Sequence, residues 1–319
     1  MALSSDTSLL EGRVVLVTGA GRGLGRAHAR TIAEHGARVV VNDVEDADAC
    51  AADLRADGLE VVAEGSDVSS WVGAERAVHA ALEHFGALHG LVNNAGVTRR
   101  ADVADLTEAG LDRELGVNLR GAFACTHHAS AYWRAQNRQG RCPDASVVHT
   151  TSDAVFTAAP GGSGYAATKA GIIALAEAAS IEGGQYGVRH NAVAPSGRTI
   201  MAASSGLLGY DESEVGLPEQ QDPDSPENPL HNSPLVAWLL STEARHVTGQ
   251  VFRIRHGAVA RVERSTTGPW QLPPDGASCW PAERIGELVD GEIFGSRLPA
   301  PTRTYPDGRR LPFARLDHR

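Results

Sequence analysis

The fold is decided by the stretch Arg13-Val-Val-Leu-Val-Thr-Gly-Ala-Gly-Arg-Gly-Leu-Gly25. Its first half is a β-branched apolar run, which is typical of a strand buried on both faces of a parallel sheet. Its second half is rich in glycine, and residues 26–35 then have a helical composition that ends at Gly36, where a helix terminus favours glycine. A strand, a glycine turn and a helix in succession predict the first unit of an α/β fold.

The alternation of strand and helix continues along the chain. Strand-like runs follow at residues 38–42, 60–63, 88–93, 145–151, 188–194 and 249–254, and helical patterns at residues 71–85, 111–136 and 165–185. Strands that alternate with helices of about ten residues or more form parallel sheets through right-handed crossovers. We therefore expect a doubly wound, mostly parallel Rossmann sheet of seven strands, in a single α/β domain over residues 1–262.

Two regions break this alternation. The first region is the segment 199–234, which is rich in acidic residues and proline from residue 210 onward. We expect residues 210–234 to form a long mobile loop, and the whole segment to serve as a lid over the site. Residues 263–319 form a Pro-rich C-terminal extension. Trp270 and Trp280 indicate that part of the extension packs on the body of the protein, and a disordered extension is the alternative.

Composition and charge exclude several classes of function. The 319 residues include 29 Lys plus Arg and 39 Asp plus Glu, a formal net charge of −10. A chain with this negative charge would be repelled by the phosphate backbones of nucleic acids and by anionic membrane surfaces. The sequence has no apolar stretch of transmembrane length and no signal-peptide pattern, and its four cysteines lack metal or disulfide-framework spacing. We expect a cytoplasmic protein with reduced thiols and no nucleic-acid or membrane partner.

The glycine-rich turn is the first candidate site. Gly19, Gly23 and Gly25, with Arg22 and Leu24 among them, lie where a predicted strand meets the N-terminus of a predicted helix. Glycines allow a tight turn and a close approach of the backbone to a pyrophosphate, and the helix N-terminus offers free N–H groups. The setting of strand, turn and helix predicts a dinucleotide site.

An acidic residue at the end of the second strand indicates the kind of dinucleotide. The Asp43 carboxylate can accept hydrogen bonds from ribose hydroxyls and would repel a 2′-phosphate, which favours NAD(H) over NADP(H). Arg22 is the opposing signal, because its guanidinium could meet such a phosphate. Asp67 and Val68, after the third strand, would flank the adenine ring, although Asp67 could instead cap the following helix.

A second candidate site lies in the sequence Tyr165-Ala-Ala-Thr-Lys169, which places a phenol and an ammonium group on one helix face. A tyrosine with an ordinary pKa of about 10 is a poor base at neutral pH, and a nearby lysine cation favours the phenolate. On its own such a pair is most often a packed tyrosine beside a solvated lysine. A functional interpretation therefore depends on the residues that accompany it.

Several motifs of this chain occur in the order seen in the short-chain dehydrogenases/reductases. In chain order they are the glycine turn, Asn94-Ala95-Gly96, Asn118, Ser152, Tyr165 and Lys169. The chain strongly resembles that superfamily over residues 12–262, and the joint match is highly specific. The histidines His127, His128 and His190 have no counterpart at ligand spacing, so we expect surface or packing roles for them rather than a metal site.

Asn118, Ser152, Tyr165 and Lys169 match the catalytic tetrad of that superfamily, and the resemblance implies a role for each of them. Tyr165 would exchange a proton with the substrate oxygen while a hydride moves to or from the nicotinamide. Ser152 would hold the reacting oxygen, and Lys169 would bind the nicotinamide ribose and lower the pKa of Tyr165. Asn118 would position a water that links Lys169 to solvent, and Asn94-Ala95-Gly96 would steady the central strand.

The segment after the sixth strand departs slightly from the family pattern. Pro195 and Thr199 match positions expected near the nicotinamide carboxamide, but Ser196 stands where the family usually has glycine. After the last strand, His256-Gly257 replaces the customary Gly-Gly. Neither change touches the tetrad, so both bear on substrate or packing more than on chemistry.

A closer likeness is to the hydroxyacyl-CoA dehydrogenase part of peroxisomal multifunctional enzymes and their actinobacterial relatives. Residues 40–43, 233–239 and 247–252 carry it, and the likeness to general 3-oxoacyl reductases is almost as good. These resemblances imply an NAD-dependent oxidoreductase for a secondary alcohol or ketone. A polyketide, a steroid-like ketone and a 3-oxoacyl thioester are the candidate substrates, although the acidic stretch 210–234 does not suit a polyanionic CoA.

The resemblance also implies a homotetramer or homodimer, with the helices at residues 111–136 and 165–185 in one interface. Two other functions remain open on the same scaffold. One is a non-redox enzyme, such as a cyclase, dehydratase or epimerase, and the other is a nucleotide-binding protein without activity. The intact tetrad favours the oxidoreductase.

Overall fold

In a computed structural model of the protein, the described residues are 9–157, 161–204 and 211–263, with the backbone of two short strands, β9 (Arg303–Thr304) and β10 (Arg310–Leu311). The chain separates into two compact units, Met1–Val262 and Glu263–Arg319. In the second unit, β9 and β10 pair antiparallel with one another. Trp270 and Trp280, on which the expected packing of the extension depends, lie outside the described residues.

The first unit is built on one sheet. Its strands are β1 (Val14–Thr18), β2 (Arg38–Asn42), β3 (Val61–Glu64), β4 (Gly90–Asn93), β5 (Ala145–Thr150), β6 (Val188–Ala194), β7 (Val251–Arg255) and β8 (Ala258–Arg261). They lie in the order β3-β2-β1-β4-β5-β6-β7-β8, and the neighbours from β3 to β7 are parallel. The predicted doubly wound α/β fold is therefore confirmed. Its strand order reverses between β1 and β4, where such folds have their binding crevice.

Helices cover both faces of this sheet. They are α1 (Gly23–Glu34), α2 (Ala47–Ala56), α3 (Trp71–Phe85), α4 (Glu108–Glu114), α5 (Ala122–Arg138), α6 (Ala154–Thr157), α7 (Ser163–Gly184), α8 (Ile200–Ser204) and α9 (Ser233–Leu240). Alternate residues of β1 enter opposite cores, because successive side chains of a strand point to opposite faces. Val15 and Val17 join the core of α1, α2 and α9, whereas Val14 and Leu16 join that of α3 and α5. None of the helices in the described ranges is long and apolar enough to cross a membrane.

The sheet has eight strands, where the sequence predicted seven. β8 pairs antiparallel with β7, with Phe252 opposite Arg261. The residues that connect the two strands, His256 and Gly257, have positive φ angles of 51° and 75°, as a type I′ hairpin turn requires. All residues of β8 are exposed, and only one of its four residues, Val259, is β-branched, so its sequence gives a weak strand signal.

The helix predicted over residues 111–136 consists of three successive segments. α4 ends at Glu114, a π-helical segment (Leu115–Gly121) follows, and α5 begins at Ala122. Gly121 lets the π segment approach the chain after β3, because a Cβ on it would lie 3.1 Å from the Val68 carbonyl oxygen. Hydrophobic periodicity does not reveal the extra residue in a π turn, which often occurs at functional sites.

The acidic stretch predicted as a long mobile loop is anchored to α1 in its described part, residues 211–232. It forms three short 3-10 turns, Glu212–Glu214, Pro218–Gln220 and Pro229–Asn232. Glu219 accepts hydrogen bonds from Arg26 Nε (2.8 Å) and Arg30 Nε (3.0 Å). The sequence prediction missed this attachment because the basic partners of the stretch are far away along the chain.

Three buried histidines make the stability of this fold sensitive to acid. Burial lowers the pKa of His28 and His190 to about 4 and that of His149 well below its ordinary value. Since the unfolded chain binds these protons more readily, protonation favours unfolding. The stabilisation is therefore complete above pH of about 6.5 and is lost as the pH falls towards 4.

We expect His28→Asn to weaken this acid sensitivity. The amide keeps a polar group near Ser233 Oγ, which lies 2.9 Å from His28 Nδ1, but it takes up no proton. Between pH of about 6.5 and 4, the unfolding free energy of the variant should fall by roughly 3 kcal/mol less than that of the wild type. Urea unfolding across this range measures the difference, with the exposed His79→Asn as control. Parallel curves for His28→Asn and wild type would contradict the expectation.

Candidate active site

The glycine turn forms a cradle between β1 and α1. Gly19 and Gly23 have positive φ angles of 61° and 54°, which glycine adopts without steric penalty. A Cβ on Gly19 would lie 2.7 Å from Ala95 Cα, and a Cβ on Gly25 would lie 2.0 Å from the Gly19 carbonyl oxygen. Leu24 is half-buried in the first turn of α1, and no side chain caps the first N–H groups of that helix. The turn thus presents a bare backbone surface that suits an anionic group.

The motif Asn94-Ala95-Gly96 fastens the end of β4 to this cradle. The Thr18 hydroxyl accepts hydrogen bonds from the backbone N–H groups of Asn94 (3.0 Å) and Ala95 (3.1 Å). The Asn94 side-chain amide donates to the carbonyl oxygens of Thr18 (3.0 Å) and Gly19 (3.1 Å). These bonds join the two strands between which the sheet order reverses, so they fix the floor of the crevice.

Three acidic side chains lie together at the end of β2. Asp43 Oδ2 accepts a hydrogen bond from the Gly21 N–H (3.1 Å), and Asp43 Oδ1 accepts one from the Glu45 N–H (3.1 Å). Arg22 forms ion pairs with Glu45 (3.5 Å) and Asp46 (3.9 Å). The guanidinium of Arg22 is thus shared between two carboxylates, while Asp43 lies directly beside the glycine turn.

The chain between β3 and α3 contains the two residues predicted to flank an adenine ring. Asp67 Oδ1 accepts a hydrogen bond from the Ser69 N–H (2.8 Å), and Val68 is buried. The cap of α3 is Ser70, whose hydroxyl accepts a hydrogen bond from the Gly73 N–H (2.9 Å). The alternative interpretation of Asp67 as the helix cap is therefore wrong, because Asp67 stabilises the turn that precedes the cap.

The structure brings Asn118, Ser152, Tyr165 and Lys169 together beyond the carboxyl ends of β4 and β5. Tyr165 and Lys169 lie in the first two turns of α7, Ser152 follows β5, and Asn118 belongs to the π segment. Ser152 lies close enough to the Tyr165 phenol to lower its pKa. Lys169 Nζ lies 5.7 Å from the centre of the Tyr165 ring and donates a hydrogen bond to the Thr150 carbonyl oxygen (2.8 Å).

Asn118 and Lys169 approach each other at Gly96. Asn118 Oδ1 accepts a hydrogen bond from the Val97 N–H (2.7 Å), and Asn118 Nδ2 donates to the Val97 carbonyl oxygen (2.9 Å) and to Thr168 Oγ1 (3.1 Å). A Cβ on Gly96 would lie 3.4 Å from Asn118 Oδ1 and 3.5 Å from Lys169 Nζ. The absence of a side chain at Gly96 therefore lets these two polar groups border the same point of the backbone.

The segment after β6 lies against the glycine turn. Thr199 Cγ2 is 3.3 Å from the position that a Cβ on Gly23 would take, and Pro195 is half-buried. Asn232 accepts a hydrogen bond from the Ser196 N–H (3.1 Å) and donates one to the Ser196 carbonyl oxygen (2.7 Å). The acidic stretch, which ends next to Asn232, thus helps to hold this segment in place.

Comparison with known proteins decides the family. A family model described as short chain dehydrogenase matches residues 13–205. The chain belongs to the short-chain dehydrogenase family. As the resemblance predicted, it is therefore an oxidoreductase of this family, whose members typically use a nicotinamide cofactor.

The similar proteins include bacterial and animal members of the family. The chain is 37% identical over 309 residues to the hydroxyacyl-CoA dehydrogenase ChsB1 of Mycobacterium tuberculosis, covering 93% of each protein. It is 33% identical over 268 residues to the peroxisomal multifunctional enzyme type 2 of Mus musculus, covering 81% of this chain and 33% of that protein. A solved short chain dehydrogenase from Mycobacterium avium has a TM-score of 0.81 and 38% identity, covering 92% of this chain and 98% of that one.

Burial dominates the protonation of the Tyr165–Lys169 pair. Burial of the phenol raises the pKa of Tyr165, Ser152 lowers it, and the nearby Glu114 carboxylate raises it. Burial also lowers the pKa of Lys169 to about 8. Desolvation of the phenol outweighs the effect of Ser152, so the pKa of Tyr165 lies above its ordinary value. The lowering of this pKa by Lys169 stays a prediction of the family resemblance.

Sequence reasoning missed two groups beside the site. Asp153, the residue after Ser152, forms a two-point ion pair with Arg253 of β7, with Nε–Oδ1 at 2.8 Å and Nη2–Oδ2 at 3.0 Å. Glu114 is buried one helical turn before Asn118. The partners of these side chains are distant in sequence, so spacing cannot indicate them. The only available signal was the position of Glu114 four residues before a motif residue.

The histidines considered in the sequence have packing contacts. His190 is buried, its Nδ1 lies 3.3 Å from His149 Nε2, and the two rings stack. The ring centres of His127 and His128 lie 4.9 Å and 5.3 Å from that of Trp71. Within the part of the chain that the structure describes, no three His, Cys, Asp or Glu residues are grouped as metal ligands.

Proposed function

We propose that this protein interconverts a secondary alcohol and a ketone by hydride transfer with NAD(H). The observation that carries the proposal is the juxtaposition of Tyr165 with Ser152 and with buried Lys169, whose Nζ lies 5.7 Å from the Tyr165 ring centre, next to the glycine cradle. Glycine at positions 19 and 25 lets the turn pack closely against Ala95 and lets α1 begin directly behind it, and the uncapped first N–H groups of α1 suit a pyrophosphate. The bound nicotinamide supplies the hydride chemistry, and the protein supplies binding, orientation and the proton.

Each tetrad residue has a distinct task in the proposed reaction. Ser152 donates a hydrogen bond to the substrate oxygen, and Tyr165 supplies its proton when a ketone is reduced. Lys169 binds the nicotinamide ribose and keeps a positive charge near the phenol. Asn118, which borders Gly96 together with Lys169, helps to return protons from solvent. Fixed donors around the reacting oxygen stabilise the negative charge that develops there.

The proposed preference for NAD(H) rests on charge at the end of β2. A 2′-phosphate on the adenosine ribose would meet Asp43, with Glu45 and Asp46 close by. Arg22, the residue that would favour NADP(H), already has these last two carboxylates as ion-pair partners. Repulsion between phosphate and carboxylate outweighs attraction to a cation whose charge is largely compensated.

We expect Asp43→Asn to shift this preference. The amide retains hydrogen-bonding capacity but removes the charge nearest the glycine turn, so the ratio of kcat/KM with NADPH to kcat/KM with NADH should rise about tenfold, equivalent to about 1.4 kcal/mol. Initial rates with both cofactors measure the ratio. Asp48→Asn, an exposed change on α2, should leave the ratio as in the wild type. An unchanged ratio in Asp43→Asn would refute the assignment of cofactor by this carboxylate.

For the substrate, we propose a 3-hydroxyacyl or 3-oxoacyl thioester as the first class to test. The relative of Mycobacterium tuberculosis that aligns over 93% of the chain is a hydroxyacyl-CoA dehydrogenase. The charge objection to CoA is weakened because Glu219 of the acidic stretch pairs with Arg26 and Arg30. Steroid-like and polyketide ketones are the other classes. The lid role of residues 199–234 stays a prediction from the sequence.

The proposed function is tested by nicotinamide absorbance. Purified protein is mixed with NADH or NADPH and a panel of 3-oxoacyl thioesters, steroid ketones and aromatic polyketides. We expect NADH-dependent turnover on one of these classes. Conversion of a panel member by dehydration, cyclisation or epimerisation, without loss of NADH, would overturn the proposed reaction.

We also propose that the protein assembles as a homotetramer or homodimer through α5 and α7. Phe123 on α5 is 47% exposed and Ile181 on α7 is 74% exposed, and large apolar side chains on neighbouring helices favour an interface. Light scattering measures the mass in solution, and a monomer would contradict the proposal. The cytoplasmic location stays a prediction from the sequence.

A further inference from the structure

Glu114 lies one helical turn before Asn118 and contacts the same two parts of the chain, the segment after β4 and α7. Asn118 joins Val97, in the chain after β4, to Thr168 of α7. Glu114 Oε1 accepts a hydrogen bond from the Arg99 N–H (2.7 Å), which lies in the same chain segment two residues further on. Two residues four apart on one helix therefore hold the same segment at neighbouring points.

The other carboxylate oxygen of Glu114 reaches the helix that carries Tyr165. A Cβ on Gly164, the residue before Tyr165, would lie 2.4 Å from Glu114 Oε2. Gly164 and Thr168 are also four residues apart, so Glu114 and Asn118 contact successive turns of α7. Glycine at position 164 thus leaves room for a carboxylate directly beside the tyrosine backbone.

The surroundings of Glu114 raise the free-energy cost of a charged carboxylate, because they are buried and largely apolar. The residue is 1% exposed, and Oε2 has no hydrogen-bond partner. Leu106 and Leu111 line the same space, at 3.4 Å and 3.5 Å from the position of a Cβ on Gly164. Burial raises the pKa of Glu114, and the backbone hydrogen bond from Arg99 lowers it. Buried titratable groups with such surroundings concentrate at functional sites.

The charged and titratable neighbours of the Tyr165 phenol come from three elements. Ser152, after β5, lowers the pKa of the phenol, Lys169 on α7 lies 5.7 Å from its ring centre, and Glu114 is the negative group on the side of α4. The Glu114 carboxylate raises the pKa of Tyr165. A lysine cation favours a phenolate, whereas a glutamate carboxylate disfavours it.

We propose that Glu114 is a positioning residue of the Tyr165 site, whose buried carboxylate holds the Arg99 backbone against α7 and opposes negative charge on the phenol oxygen. The inference rests on the acid–base role given to Tyr165 in the proposed function. It deepens that role, because a phenol that resists ionisation stays a proton donor to higher pH. Ketone reduction, which consumes a proton, is the direction that such an arrangement favours.

Glu114→Gln tests the inference through the ionisation of a single tyrosine. The difference in phenolate absorbance between a protein and its Tyr165→Phe counterpart gives the titration of Tyr165 without any turnover. We expect Glu114→Gln to lower the apparent pKa of Tyr165 by about one unit. A shift of this size is typical when one charge is removed from the neighbourhood of a partly buried titratable group. Glu114→Asp, which keeps the charge, should restore most of the wild-type value, and the exposed Glu108→Gln should change nothing.

The pH profile of kcat for ketone reduction gives the second readout. The upper limb of the profile should move to lower pH in Glu114→Gln by the same amount as the titration. If Glu114→Gln does not fold, Gly164→Ala applies the same test, because its Cβ displaces Glu114 Oε2 and should lower the pKa of Tyr165 in the same direction. An unchanged titration of Tyr165 in the folded variant would overturn the inference.

The two readouts separate this inference from the proposed function. A shifted titration with no turnover on any ketone would leave the electrostatic effect of Glu114 intact and count against the proposed reaction. Normal turnover with NADH, together with an unshifted titration and pH profile, would leave the proposed reaction intact and refute the role of Glu114.

Discussion

Replacing Tyr165 by phenylalanine should lower kcat/KM for ketone reduction about a thousandfold, within the range that general acid catalysis contributes. The variant loses the only atom that can pass a proton from this side chain to the substrate oxygen. The ring remains, with its position near Lys169 Nζ, so the Kd of NADH should change little. Steady-state rates and a fluorescence titration with NADH measure the two quantities.

Tyr186→Phe is the matched control for this prediction. Tyr186 follows α7 and lines a groove with Phe123 and Leu175, away from the tetrad. The same loss of one hydroxyl should there leave kcat/KM at the wild-type value. A Tyr165→Phe enzyme that works within about tenfold of the wild type would remove the phenol from the proposed mechanism.

Gly25→Ala should weaken NADH binding by about 100-fold or more, equivalent to about 3 kcal/mol. The new Cβ would lie 2.0 Å from the Gly19 carbonyl oxygen and 2.6 Å from Asn94 Nδ2. Because the first of these is a backbone atom, the clash is relieved only if the N-terminus of α1 moves away from the end of β1. That movement breaks the cradle, and we also expect Tm to fall by several degrees.

Gly184→Ala is the control for a glycine that has no close neighbour. Nothing lies within 4 Å of the position of its Cβ, and it belongs to α7. Alanine in a helix is favoured over glycine by about 0.5–1 kcal/mol, so stability should stay the same or rise slightly and the Kd of NADH should not change. NADH binding by Gly25→Ala as tight as that of wild type would contradict the account of the cradle.

Much of the fold was predictable because its determinants are local. Residues 14–17 are all apolar and Val14–Thr18 is buried at every position, since both faces of β1 are covered, and the glycine turn follows it directly. β8 was missed because its residues are exposed and its pairing depends on the turn at His256 and Gly257. The attachment of Glu219 to Arg26 was missed because it joins side chains that are distant in the sequence.

The candidate site was predictable to the extent that motifs describe it. Tyr165 and Lys169 lie one helical turn apart, so their juxtaposition follows from helix geometry. The sequence could not show that burial raises the pKa of Tyr165 or that Glu114 adds to this effect. Both depend on tertiary packing around the phenol, and so does the ion pair between Asp153 and Arg253.

Net hydride transfer to a ketone is measured by stoichiometry with NADH deuterated at C4 of the nicotinamide. We expect one molecule of alcohol for each NADH oxidised, with deuterium at the carbinol carbon when the transferred position carries the label. A product that forms without NADH oxidation, or an alcohol without deuterium from either C4 position, would contradict it.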